Sequence, residues 1–287
     1  MTLYKNIVAF PLLAGIAICI SASSCIKKYE ASDYAPSKPY GGYSSSKEIA
    51  AGNLVAYWAF DGNLTDSAGG LTGTNSGTTF TAGKKGQALK VGGSNYYLFG
   101  NPGTTIPNLK AFTVAFWMNA PQNTSYGYGI FSLNNPNDFW GSLDIYLDNG
   151  STADTAQFRV HINSGGVGQF IGAKVGGAWN KWVHIAVTYD SSTSTGTNIV
   201  IYANGNSVYS ALLKNGSANY GPLKFPSPTK MVLGTWQFQT VPSLTSAATA
   251  QSWAGSFNGS LDEFRIYNKS LKAADVSALF KLEALGR

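Results

Sequence analysis

The sequence predicts an all-β fold: a two-sheet antiparallel sandwich of the jelly-roll type, finished by a short C-terminal helix. Three observations predict it. Many short runs alternate their side chains with a period of two, the signature of half-buried strands. Turn signals rich in Gly, Asn, Ser and Thr separate these runs, in a chain holding 33 Gly. Helices do not alternate with the strands and no fixed-period repeat is visible, which argues against a parallel α/β sheet, a propeller or a solenoid.

In chain order, Lys5 and the apolar run Ile7–Ile20 precede Ser21-Ala22-Ser23-Ser24-Cys25. That run of about 14 residues is short of the roughly 20 a membrane-crossing helix needs, so residues 1–24 read as a secretory signal peptide. Residues 25–51, rich in Ser, Tyr, Lys, Gly and Pro, read as a flexible tether. The folded domain is then 52–287. Leu54–Phe60 is its first strand, and Asp61–Thr79 is a string of turns carrying Asp61 and Asp66. Short strands follow around Phe80, Ala88–Val91 and Tyr96–Phe99. Phe112–Met118 is apolar on both faces and suits a central strand. Ala120–Trp140 reads as a long loop with aromatic residues. Strands are expected at Leu143–Leu147, Gln157–Ile162, Gln169–Ala173 and Trp182–Tyr189. Asn198–Ala203 and Ser207–Ala211 flank Asn204-Gly205, a strong hairpin signal. Met231–Gly234 leads into a second long loop, Thr235–Ser252. In Leu261–Tyr267, alternation puts Asp262, Phe264 and Ile266 on one face and Leu261, Glu263, Arg265 and Tyr267 on the other. This strand is expected to pair with Leu54–Phe60, bringing Asp61 beside Asp262. Leu271–Leu285 has helical spacing, with Ser270 as its expected cap.

The sequence is 44% hydrophobic and 12% charged, enough apolar residues for one sizeable core. The two cysteines are Cys19 and Cys25. Cys19 lies in the cleaved segment, so the exported chain has no internal disulfide. The formal charge of +6 is spread thinly, with no basic stripe and no nucleic-acid motif. His161 and His184 have no zinc or nucleophile motif around them, and no G-x-S-x-G, H-E-x-x-H, Walker or dinucleotide signature occurs.

The segments LVAYWAFDGNLTDSAG, GKKGQALKVGG, FTVAFWMNAP, NKWVHIAVTYD, IVIYANGNSV, MVLGTW and GSLDEFRIYNKSLKAADV occur in that order from Leu54 to about Leu282. This ordered set resembles the laminin G-like, concanavalin A-like jelly-roll domains of bacterial surface proteins. The small residues before Cys25 resemble a bacterial lipobox, with Ala22 where that pattern prefers Leu. The resemblance implies an outer-membrane lipoprotein of a Gram-negative, Bacteroidetes-type bacterium, lipidated on Cys25, at the cell surface or the periplasmic face. The alternative is ordinary cleavage with Cys25 left as a free thiol.

Three constellations carry candidate chemistry. Asp61 and Asp66 lie on turns, and turn carboxylates with carbonyls suit Ca2+. The resemblance adds Asp262 as a further ligand of a structural calcium ion; the alternative is that these residues cap turns. Asp144, Tyr146 and Asp148 project from one strand face. Laminarinase-type glycosidases of the same fold carry a carboxylate row there, which makes Asp144 and Asp148 the alternative catalytic pair, although Tyr146 interrupts the row. Trp140, Trp236 and Trp253 lie near loops, with Tyr128 and Phe139, and suit stacking on sugar rings beside Asn137 or Gln237. Trp58, Trp117 and Trp182 lie within strands and read as core. The function expected is a non-catalytic, membrane-anchored, lectin-like module that binds polysaccharide or glycan at the cell envelope. The alternatives are an endo-acting glycoside hydrolase of laminarinase type and a protein-binding adhesion module. The sugar and the oligomeric state stay open.

Overall fold

A computed structural model of the chain describes residues 40–193 and 195–287. The signal peptide and the lipid attachment at Cys25 lie outside the described residues. In chain order the strands begin with β1 (Leu54–Trp58), β2 (Thr74–Ser76), β3 (Thr79–Ala82), β4 (Gln87–Val91), β5 (Tyr96–Phe99) and β6 (Phe112–Asn119). Next come β7 (Gly127–Leu133), β8 (Leu143–Asp148), β9 (Thr155–Ser164), β10 (Val167–Gly176), β11 (Val183–Tyr189) and β12 (Ile199–Ala203). The last are β13 (Asn206–Ala211), β14 (Lys214–Asn215), β15 (Ala218–Asn219), β16 (Met231–Leu233), β17 (Ala254–Ser256) and β18 (Gly259–Tyr267), followed by helix α1 (Ala273–Ala284).

β14 and β15 pair only with each other, and the other strands build two large sheets. Sheet one runs β13–β12–β11–β6–β18–β4–β3, with β1 also on β18. Sheet two runs β10–β9–β8–β7–β16–β5–β2, with β17 on β7. All of these pairings are antiparallel except β17–β7. The inner faces meet in one core, in which Val114, Phe116 and Met118 of β6 face Ile145 and Leu147 of β8 and Val160 and Ile162 of β9. Alternate residues explain this: in each strand the even or odd set turns inward and buries its apolar area. The Asn204-Gly205 turn forms as expected, both residues in the left-handed region at φ 48° and 77°.

The expected closure of the two ends is met: β1 pairs with β18, Leu54 opposite Tyr267 and Trp58 opposite Phe264. Four details differ from expectation. First, the alternation of β18 breaks at a bulge between Asp262 and Arg265, where Glu263 takes φ 50°. The bulge puts Leu261, Phe264 and Ile266 together in the main core. Asp262 therefore does not share a face with Phe264. Second, the end of the tether is folded. Ile49 is buried with Val276, Leu279 and Leu282 of the helix on the outer side of sheet one. Tyr43 Oη donates to Asp275 at 3.0 Å, and Ser46 N donates to the carbonyl of Arg287 at 3.3 Å. A segment with few apolar residues is held here by one buried Ile and by polar contacts to the helix. Third, the helix is capped at Lys272 with no side-chain bond, so Ser270 is not its cap. Fourth, the Ala120–Trp140 loop contains β7. The chain's glycines concealed it: a Cβ on Gly129 would stand 2.6 Å from the Thr235 carbonyl carbon, so a side chain is excluded where the next loop crosses the strand.

Candidate functional site

The candidate site lies on the outer face of sheet two. Leu143, Ile145 and Leu147 of β8 enter the core, so Asp144 and Tyr146 must point away from it. Strand register then lines up Phe170 (β10), His161 (β9), Asp144 (β8), Ser132 (β7), Val232 (β16) and Leu98 (β5) across the sheet.

The second long loop folds back over this row. It is fixed by its own polar groups: Gln237 Oε1 accepts from Asn135 N at 2.7 Å, and Gln237 Nε2 donates to the carbonyls of Asp138 and Phe139, both at 2.9 Å. Thr245 Oγ1 donates to the Asp138 carbonyl at 2.7 Å, and Asn134 Nδ2 to the Leu244 carbonyl at 2.9 Å. Gln237 is fully buried in these bonds and is not free to orient a ligand, which corrects the role expected for it. Asn137 stays exposed.

The loop brings the three candidate tryptophans together. Ring centroids are 5.6 Å apart for Trp140–Trp236, 6.0 Å for Trp140–Trp253 and 5.6 Å for Trp236–Trp253. Phe139, Phe238 and Tyr146 complete the cluster, with Tyr146 4.5 Å from Trp236. Gly127 lies beneath, where a Cβ would stand 3.4 Å from Trp236 and 3.5 Å from Trp253. The members differ in exposure. Trp236 is 1% exposed and serves as the floor, which removes it from direct contact with a ligand, whereas Trp253 is 37% exposed and Phe170 53%. Trp140 is half-buried, between Phe170 at 5.1 Å and His161 at 5.6 Å. The accessible surface is therefore the edge formed by Trp253, Trp140, Phe139 and Phe170. Phe170 was not among the expected residues; its place in an alternating strand opposite a histidine was the available signal.

Beside this cluster, sharing β17 and the start of β7, lies a cavity of about 530 Å3. Tyr128 lines it, together with Tyr96, Tyr126 and Asn258, which sequence reasoning did not select as ligand contacts. Tyr126 and Tyr128 flank a single glycine, a spacing that places both rings on one side of an extended chain.

The carboxylate row does not form a hydrolytic pair. Asp144 is 1% exposed; its Oδ1 accepts from Ser132 Oγ at 2.5 Å and its Oδ2 from Gly141 N at 2.7 Å. His161 Nδ1 stands 3.3 Å from the same Oδ2. Ser132 thus donates to the buried carboxylate rather than to His161, and no serine–histidine pair forms. Asp148 pairs with Arg159 Nε at 3.1 Å and accepts from Asn149 N at the following turn. Tyr146, between the two, lies under the tryptophans. Retaining hydrolysis needs two carboxyl groups flanking an open cleft, and Asp144 is closed off from any substrate.

The acidic residues at the chain ends meet at the β3–β4 turn. Asp61 Oδ1 accepts from Gln87 N at 2.8 Å, and Asp262 Oδ2 from Lys85 N at 2.9 Å. A Cβ on Gly86 would stand 1.9 Å from Asp61 Oδ1, and one on Gly83 2.7 Å from Asp262 Oδ2. Burial pushes the Asp262 carboxyl up to about 7. Asp66 is separate: it accepts from Tyr57 N, Ala68 N and Gly69 N through Oδ1, and from Leu71 N through Oδ2. Four amides converge on it, the environment of a turn cap, and this takes Asp66 out of the expected calcium ligands. Among the described residues no group of three or more His, Cys, Asp or Glu is arranged to hold a metal ion.

Under the helix, on the other side of the sandwich, lies a buried ionic network. Arg265 bonds Glu263 at 2.6 Å and Glu283 at 2.7 Å, and its guanidinium stacks 3.8 Å over Tyr57. Trp117 Nε1 donates to Glu283 at 2.8 Å. Burial, and then Arg265, push His184 down to about 3, so it stays neutral there. This network joins β18, β1 and the helix and is closed to solvent.

Similarity to solved structures agrees with the architecture. Domain 4 of AbnA, an extracellular arabinanase of Geobacillus stearothermophilus solved with arabinotriose, superposes with a TM-score of 0.54 at 20% identity, covering 79% of this chain and 98% of that one. The binding domain of botulinum neurotoxin serotype D gives 0.56 at 14% identity, and that of Paraclostridial Mosquitocidal Protein 1 gives 0.56 at 18%. Each covers 80% of this chain, which spans only about half (51% and 52%) of those domains. At such identities the likeness is one of fold. No curated protein matches the chain. A family profile does match over residues 91–277, most of the sandwich and well over half of the chain, and on that match the protein belongs to the concanavalin A-like lectin/glucanases superfamily.

Proposed function

We propose that this protein is a non-catalytic, lectin-like module that binds glycan, held at the cell envelope through a lipid on Cys25. The observation that carries the reading is the convergence of Trp140, Trp236 and Trp253 on one outer sheet face, with Trp253 and Phe170 open to solvent. Sugar C–H faces stack on such rings, and a fixed loop beneath them lowers the ordering cost of binding. The arabinotriose complex of the arabinanase domain supports the same reading by analogy of fold. The burial of Asp144 favours binding over hydrolysis.

A glycan array followed by calorimetry tests it. Trp253→Ala and Phe170→Ala should each weaken binding by about 2- to 12-fold, from about 0.5–1.5 kcal/mol per ring. Unchanged affinity in both variants would remove the platform. For the anchor, Cys25→Ala should move the protein from the membrane to the soluble fraction. We further propose that a structural calcium ion uses Asp61 and Asp262, which meet at one turn from opposite ends of the domain. Chelation should then lower Tm, and the loss of that effect in Asp262→Asn would identify the ligand.

A further inference from the structure

The cavity next to the tryptophan cluster has a composition that narrows the ligand. Its volume, about 530 Å3, falls within the roughly 300–1,000 Å3 of small-molecule sites. None of its lining side chains is charged. Three tyrosines line it, Tyr96, Tyr126 and Tyr128, together with the amides of Gln239 and Asn258. These groups divide into fixed and free. Tyr96 Oη is held by Val241, whose N–H donates to it at 3.1 Å. Gln239 ties down its own loop, its Oε1 accepting from Gln251 N at 2.9 Å and its Nε2 donating to the carbonyls of Gln251 and Ala254. Both therefore form wall. By contrast, among the described residues the hydroxyls of Tyr126 and Tyr128 and the amide of Asn258 make no hydrogen bond to protein. Tyr126 is 46% exposed at the mouth, and the Tyr128 ring covers Gly255, where an added Cβ would sit 3.5 Å from it.

We propose that this cavity holds a short, uncharged oligosaccharide, with Tyr126 and Tyr128 supplying ring faces and, with Asn258, the hydrogen bonds to hydroxyl groups. The proposal rests on the glycan reading of this face and adds both the place and the charge class. An acidic sugar brings a carboxylate that would lose water inside the cavity without meeting a cation, which disfavours it strongly. Trp253 directly precedes the β17 wall, so a longer chain leaving the cavity runs onto the tryptophan edge.

The test titrates the protein with arabinotriose, xylotriose and laminaritriose, and with trigalacturonate and sialyllactose as acidic counterparts. The variants are Tyr126→Ala, Tyr128→Ala, Trp253→Ala and Ala250→Trp. Ala250 is an exposed lining residue, so a Trp there fills the cavity without cutting into the core. At least one neutral trisaccharide should bind at least about 10-fold more tightly than either acidic one. Ala250→Trp should reduce that binding by about 10-fold or more, and each Tyr→Ala by about 2- to 12-fold, at unchanged Tm. Trp253→Ala should weaken the matching hexasaccharide more than the trisaccharide. If Trp253→Ala abolishes binding while Ala250→Trp leaves it intact, the cavity proposal fails and the platform reading stands. Equal affinity for acidic and neutral sugars also overturns the charge class. If the unmodified domain binds no glycan on an array, both readings fall together. Ala250→Trp and Tyr126→Ala change exposed residues, so the test survives if Tyr128→Ala does not fold.

Discussion

Replacing Glu283 by Ala perturbs the ionic network that fastens the helix to sheet one. The side chain accepts from Arg265 Nε at 2.7 Å and from Trp117 Nε1 at 2.8 Å, fully out of solvent. Its removal leaves two buried donors without acceptors, at about 1–3 kcal/mol each. Arg265 keeps Glu263 at 2.6 Å, so the guanidinium is not stranded. Removal also relieves the burial of a carboxylate, which offsets part of the loss. A net loss of about 3 kcal/mol follows, and for a domain of this size about 2–4 °C per kcal/mol gives a Tm lower by about 6–12 °C. The dependence on pH supplies a second reading. Burial, opposed by Arg265, pushes the Glu283 carboxyl from its ordinary 4.5 up to about 7. A raised carboxyl binds its proton more tightly in the folded state. The stability it contributes is therefore present below about pH 4.5 and lost as pH rises through about 7. The gap between wild type and Glu283→Ala should narrow over that window. Scanning calorimetry at several pH values measures both quantities. A Tm change under 2 °C, or a gap that widens with pH, would refute the account of the network.

Three further outcomes follow from the same geometry. In protein freed of calcium by chelation, Asp262→Asn should flatten the pH dependence of stability between about 4 and 7, because the buried carboxyl of wild type, raised to about 7, favours folding while protonated; denaturant melts with chelator across that range check it. Asp66→Ala should lower stability by about 2–4 kcal/mol through the loss of an acceptor shared by four amides, read as a fall in urea midpoint without a change in slope. The protein should release no reducing sugar from mixed β-glucans, and any release abolished by Asp144→Asn would restore the hydrolase reading.

Much of the fold was legible because its strands obey simple periodicity. β6, β11 and the β12–β13 hairpin sit where alternation and Asn204-Gly205 put them, and the pairing of the first and last strands followed from two alternating runs that each needed a partner. What was not legible depends on contacts distant in sequence. Gly129 looks like a turn residue, yet it is a glycine because the second loop passes directly over it. The bulge at Glu263 is a left-handed residue of no special type, and it changes which side chains of β18 share a face. At the candidate site, the loop positions of Trp140, Trp236 and Trp253 marked each as a candidate ring, and their convergence is seen only in the fold. The burial of Trp236 and Gln237 was not expected, since it depends on how the loop closes on itself. Tyr96, Tyr126 and Asn258 come from three separate segments, and only the tertiary fold makes them neighbours.

The folded end of the tether has a directional consequence. The chain enters the domain from Tyr40 across the back of sheet one, beside the helix and within hydrogen-bonding reach of the last residue. The aromatic edge lies on the outer face of sheet two, with the whole thickness of the sandwich between. The point where the chain enters the domain and the face that carries the exposed rings are therefore opposite one another, so a fusion or label placed just before Tyr40 leaves those rings unobstructed.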